Sequence, residues 1–137
     1  MEEIIKEIAE QIDAGFIVYL NIKTNEIFSH GDPSNMYYDG EEDEYIQEIE
    51  AQIAESPADY VRFQQPDSRT AFMVMEDFTE TVKDKRLRAR LEEALNSKKP
   101  FRYFKDTVTR STEVDNWYSF SAARMQAWVR DRLIEDI

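Results

Sequence analysis

Residues 69–82 read R-T-A-F-M-V-M-E-D-F-T-E-T-V. The stretch admits two structures. Its middle, A-F-M-V-M, has the continuous apolar character of a buried strand. The longer set Phe72, Met75, Phe78 and Val82 is spaced by 3, 3 and 4 residues. That spacing gathers all four side chains on one side of a helix and scatters them along a strand. We therefore read residues 69–82 as a helix, and this choice makes the C-terminal two-thirds of the chain mainly helical.

The segments downstream agree. Asp84 stands where an N-cap is needed, ahead of a stripe of Leu87, Leu91 and Leu95. Asn96-Ser97-Lys98-Lys99 is an exit, and Pro100 suits the first turn of a further helix because its missing N–H is not required there. Phe101, Phe104 and Val108 share one face of that helix. A final helix is expected over residues 115–135, carrying Trp117, Phe120, Trp128 and Leu133. Trp117, Phe120 and Trp128 are expected to clamp the Phe101/Phe104 helix, so that these five rings act as a structural pin.

Upstream, Ile4, Ile5, Ile8 and Ile12 recur at helical spacing, so residues 2–12 read as an amphipathic helix stopped near Gly15. Phe16–Leu20 and Glu26–Ser29 read as two strands of a hairpin turning at Asn25, which tolerates left-handed geometry. Residues 30–40, H-G-D-P-S-N-M-Y-Y-D-G, read as a loop, and Asp39 with Glu42 has capping-box spacing before a helix marked by Ile46, Ile49 and Ile53. Tyr60–Phe63 suits a third strand. The expected fold is α+β: a small antiparallel sheet of about three strands with helices packed against it.

A chain of 137 residues is about one domain, residues 1–137. Its 42% hydrophobic and 12% aromatic content suits a packed globule. The absence of cysteine excludes disulfides, thiol catalysis and Cys-based zinc sites. The acidic start M-E-E-I-I-K-E-I-A-E lacks the positive end and unbroken apolar core of a signal peptide. No apolar run approaches the roughly 20 residues that span a bilayer. The expectation is a cytoplasmic protein without a membrane partner.

The net charge of −12 is unevenly placed. Residues 1–60 hold Lys6 and Lys23 against 16 acids, a net of −14. Residues 83–110 hold 10 Lys/Arg against 4 acids, a net of +6. The overall negative field discourages nonspecific binding to nucleic acid or anionic lipid. Within the basic island the helix after Asp84 places Lys85, Arg86, Arg88 and Arg90 first and Glu92 and Glu93 last. That order opposes the helix dipole by a few tenths of a kcal/mol per charge and asks for a partner elsewhere. The acidic half of the chain itself is the nearest candidate.

Catalytic constellations are sparse. His30 is the only histidine, so neither a Ser-His-Asp triad nor a His-based metal set has company. The acids of E-E-D-E at 41–44 are consecutive, whereas a calcium loop alternates its ligands, and they suit the first turn of a helix. Glu76, Asp77 and Glu80 offer carboxylates for acid/base work, but they read as the solvated face opposite Phe72, Met75 and Phe78. No glycine-rich phosphate loop occurs. Hence no catalytic residue, metal or cofactor is assigned.

The candidate binding residues are Arg86, Arg90, Lys98, Lys99, Arg102 and Lys105. With Tyr103 the last four resemble the basic and aromatic mixture of nucleic-acid binders, and helices 69–82 and 84–95 imitate a helix-turn-helix, as any two adjacent amphipathic helices do. If Phe101 and Phe104 face the core, however, those rings cannot stack on bases. The favoured expectation is a noncatalytic binding or adaptor module meeting an acidic protein partner. Nucleic acid comes second and a carboxylate-based enzyme third. Self-association, with acidic helix 41–54 meeting basic helix 84–95 of a neighbour, is a further expectation.

The order Met75-x-x-Phe78, Leu91-x-x-Ala94-Leu95, Pro100-Phe101-x-x-Phe104-Lys105-Asp106, Trp117-x-x-Phe120 and Trp128, after a Tyr19-Leu20-Asn21-x-x-Thr24-x-Glu26-Ile27 hairpin, resembles a group of small bacterial proteins known as an uncharacterised protein family, number one-five-eight. The resemblance covers nearly the whole chain and implies no established activity. It ranks Phe101, Arg102, Phe104, Lys105 and Trp117 as candidates. Asn25 and Ser97 stand where the family pattern leads one to expect glycine.

Overall fold

The alternation of side chains along one strand sets the layering of the N-terminal part. β1 (Phe16–Asn21) is the centre of a three-stranded sheet ordered β2-β1-β3, between β2 (Ile27–Gly31) and β3 (Tyr60–Phe63), and both pairings are antiparallel. Successive side chains point to opposite faces. Val18 and Leu20 enter one core with Val61 and Phe63, while Ile17 and Tyr19 enter another with Ile49 of α2 (Asp43–Glu55). A central strand covered on both faces explains why Ile17 to Leu20 are all buried.

The computed structural model describes residues 1–136, and they group into two compact units. The first comprises Met1–Gln65 and the C-terminal residues from Met125 onward; the second is Pro66–Arg124. In the first, α1 (Glu2–Asp13) lays Ile5, Ile8, Ala9 and Ile12 onto the Val18/Leu20 face, joined by Val129 and Leu133 of α6 (Val114–Asp136). Arg130 grips Glu2 with two hydrogen bonds, of 3.2 and 2.6 Å, which hold the Glu2 carboxyl below its usual range. The hairpin turns at Asn25, whose φ of 64° is the left-handed region that asparagine visits more readily than other side-chain-bearing residues. Asn21 Oδ1 accepts from the backbone N–H groups of Lys23 and Thr24 and closes the turn.

Two local readings of the sequence need correction here. His30 belongs to β2 rather than to the following loop; its ring is buried at 2% exposure, 5.7 Å from that of Tyr19. Its pairing with Ile17 extends the strand by backbone bonding that turn-rich composition does not reveal. The capping box at Asp39 is also absent. Asp39 Oδ1 accepts from Glu41 N–H, Gly40 takes a φ of 84°, and α2 begins only at Asp43. Asp39 satisfies a nearby turn, a competition to which short acidic side chains are prone. Glu42 is used elsewhere, accepting the Gly31 N–H at 2.9 Å.

The second unit is helical. The stretch 69–82 resolves as α3 (Ser68–Thr81), with Met75, Phe78 and Thr79 buried. Asp67 caps it, accepting the Thr70 N–H at 2.8 Å. α4 (Lys85–Leu95) is capped by Asp84, which accepts from Arg86 and Leu87, and it buries Leu87, Leu91 and Ala94. α5 (Pro100–Thr109) starts on Pro100 and buries Phe104 and Val108. The first part of α6 adds Trp117 to this core, with Phe120 packed against it. No helix among the described residues is long and apolar enough to cross a membrane.

Candidate functional site

The second unit divides α5 between two tasks. Phe104 is fully buried, and its ring meets Trp117 edge to face with centroids 5.0 Å apart. Phe78 touches three rings, those of Phe104, Trp117 and Phe120, at 6.4, 5.3 and 5.5 Å. Phe101 is partly buried and stands edge-on to Phe72 at 6.4 Å. Tilted ring pairs of this kind contribute about 0.5–1.5 kcal/mol beyond the area they bury. Phe72 and Phe78 read in the sequence only as helix-face residues, and their direct ring contacts with the α5 and α6 aromatics add them to the group.

Trp128 is placed differently from the expectation. It packs against the core of the first unit, beside Met125 and the cluster of Ile5, Ile8, Val129 and Leu133. Both indoles belong to α6, but Trp117 is part of the core of the second unit and Trp128 packs in the first.

The opposite side of this segment is polar. Arg102, Tyr103 and Lys105 are exposed, as are Lys98 and Lys99 in the preceding turn and Arg86 and Arg90 on α4. Ser97 Oγ donates to the Ala94 carbonyl at 2.6 Å and closes the α4 end, leaving the two lysines to follow in the open turn. Arg88 pairs with Glu92 at 3.1 Å, one turn along the same helix. Among the described residues, none of Arg86, Arg90, Lys98, Lys99, Arg102 and Lys105 stands within ion-pair distance of a carboxylate.

Glu76 and Glu80 are exposed, and Asp77 accepts from Arg124 Nη1 at 2.7 Å. The Arg124 guanidinium also lies 5.7 Å from the Phe120 ring centroid. The charge of Asp77 thus serves to hold a cation over an aromatic edge of the core.

A second surface lies wholly in the first unit and escaped the sequence reading. The end of β2 and the loop to α2 enclose a shallow cleft of about 360 Å³. Its lining includes the rings of Phe16, Tyr37 and Tyr38 and the carboxylates of Asp32, Asp39, Glu41 and Glu42, with no lysine or arginine. Phe16 is 40% exposed and Tyr37 86%. The loop is held by its own bonds. Asp32 Oδ1 accepts from Ser34 N and Oγ at 2.9 and 2.7 Å, which lowers its pKa, and Tyr38 donates its hydroxyl to Asp43 Oδ1 at 2.7 Å. Partial withdrawal from water, and then that bond to Asp43, push the Tyr38 phenol up to about 12. The sequence signal for this cleft was the pair Tyr37-Tyr38 inside an acidic loop, which composition alone does not distinguish from any exposed turn.

Residues 34–136 match the uncharacterised protein family UPF0158, and the chain belongs to that family. A curated relative is the UPF0158 protein PA5073 of Pseudomonas aeruginosa, 28% identical over 87 residues. The match covers 63% of this chain and 57% of that relative's length, so the chain aligns with little more than half of it. No solved structure matches. Membership in this family carries no established biochemical function, and the function of the chain is unknown.

Proposed function

We propose that the protein is a noncatalytic binding module of the cytoplasm whose α4–α5 surface meets an acidic face of a protein partner. The observation that carries this reading is the set of six exposed cations without ion-paired carboxylates among the described residues. An uncompensated cluster steers an oppositely charged surface and gives specificity through complementarity. The buried Phe104 and half-buried Phe101 hold α5 so that Arg102 and Lys105 keep a fixed outward position.

Poly-L-glutamate is a suitable probe. The expected result is binding at low ionic strength that weakens as salt rises and is lost in Lys98→Ala/Lys99→Ala/Arg102→Ala. Undiminished binding in that variant contradicts the reading. The exposure of Tyr103 between Arg102 and Phe104 favours nucleic acid as the second reading, since a free ring can stack on a base. A single-stranded oligonucleotide bound in preference to polyglutamate, with a steep salt slope flattened by the same triple variant, would replace the first reading with the second.

A further inference from the structure

We propose that the acidic partner is a second copy of this chain, which offers its Phe16/Tyr37/Tyr38 cleft to the Lys98–Arg102 turn of a neighbour. The proposal rests on the reading of the α4–α5 surface as a docking face. Two complementary surfaces occur on one polypeptide. The first unit holds 5 Lys/Arg against 19 Asp/Glu and the second holds 12 against 10, so a charge contrast is built into every copy. The cleft is concave, bears four carboxylates and has no cation in its lining. The turn from α4 to α5 is short and exposes Lys98 and Lys99, with Arg102 one helical turn beyond.

The rings sharpen the match. Phe16, 40% exposed, and Tyr37, 86% exposed, leave apolar ring surface in water at the cleft. An ammonium or guanidinium group is drawn to such ring faces, and more strongly when carboxylates stand beside them. The loop is already fixed by its bonds to Ser34, Gly31 N–H and Asp43 side chain, so little ordering is needed on docking. Asp39 and Glu41 are exposed and make no ion pair among the described residues, which leaves their charge available to the incoming cations. The contact is heterologous: turn meets cleft, and the resulting pair retains one free turn and one free cleft. Such contacts propagate head to tail, closing into a ring when the rotation allows it.

A charge-swap pair tests this by sedimentation velocity. Lys98→Glu/Lys99→Glu sets two acids in the turn against the acidic cleft; Asp39→Lys/Glu41→Lys sets two lysines in the cleft against the basic turn. The wild type should associate with rising concentration, and each variant alone should associate at least about tenfold more weakly. An equimolar mixture should recover association, because the native turn of one variant then meets the native cleft of the other and the altered turn meets the altered cleft. A wild type that stays monomeric across the concentration range, or a mixture no better than either variant alone, overturns the proposal. Polyglutamate binding is measured on the same proteins. Binding that persists in a strict monomer removes only the self-docking inference, whereas loss of both removes the docking face as well.

Discussion

At the scale of the residue, Phe104 is the position on which the second unit turns. Its ring is wholly enclosed by Phe78, Trp117 and the α4 leucines' cluster. Phe104→Ala leaves a cavity there and should lower stability by about 3–5 kcal/mol in urea denaturation. A loss under about 1 kcal/mol would mean that the ring lies in water. The inward face was legible because Phe101, Phe104 and Val108 repeat at helical spacing. Trp128 shows the limit of that argument. Membership of a helix places a residue on a face, but periodicity does not show which core that face meets. Tyr38 provides a second residue-scale prediction. Spectrophotometric titration should find one phenol that keeps its proton to about pH 12. Because this native pKa is raised, the stabilisation is complete below the unfolded tyrosine value of ~10 and fades as pH rises through the native one. Tyr38→Phe should abolish that late titration; its persistence would assign it to another tyrosine.

At the scale of the element, helix starts decide most of the second unit. Asp67 and Asp84 each accept backbone N–H groups at the heads of α3 and α4. Asp84→Ala should cost about 0.5–2 kcal/mol, read from the shift in urea midpoint, and Asp84→Asn should recover most of it. The hydrogen bond from the Thr70 N–H lowers the pKa of Asp67. Its contribution is therefore present above the unfolded value of ~3.9 and is lost as pH falls through the depressed native value. An Asp67→Asn variant should show a shallower acid destabilisation than wild type. The Asp84 cap was visible in the sequence, since one acid preceded a clean leucine stripe. The start of α2 was not. Several acids compete between residues 39 and 43, and Asp39 closes a turn while Glu42 reaches back to Gly31. Local spacing cannot show which carboxylate is already committed to a strand eleven residues earlier.

At the scale of the whole molecule, α6 supplies side chains to the cores of both units, Trp117 and Phe120 to one and Val129 and Leu133 to the other. We propose on this ground that the chain unfolds as one domain. Trp117→Phe and Trp128→Phe leave single indoles that report the second and the first core separately. Coincident urea transitions are expected, and two distinct midpoints would show that the units unfold independently. The three strands and the helical C-terminal part were legible from periodicity, whereas the order β2-β1-β3 was not. The cleft was not, because its rings and acids are brought together by the fold of a loop. The charge contrast was legible in composition, while the unpaired state of the six cations needed coordinates.

The central claim is that α5 turns its large rings to the core and leaves the cations around it free to bind. It is tested most directly by the affinity of Lys98→Ala/Lys99→Ala/Arg102→Ala for poly-L-glutamate at low salt. Binding weakened by about tenfold or more relative to the wild type is expected, consistent with the loss of three charge contacts. Equal affinity in the two proteins would contradict it.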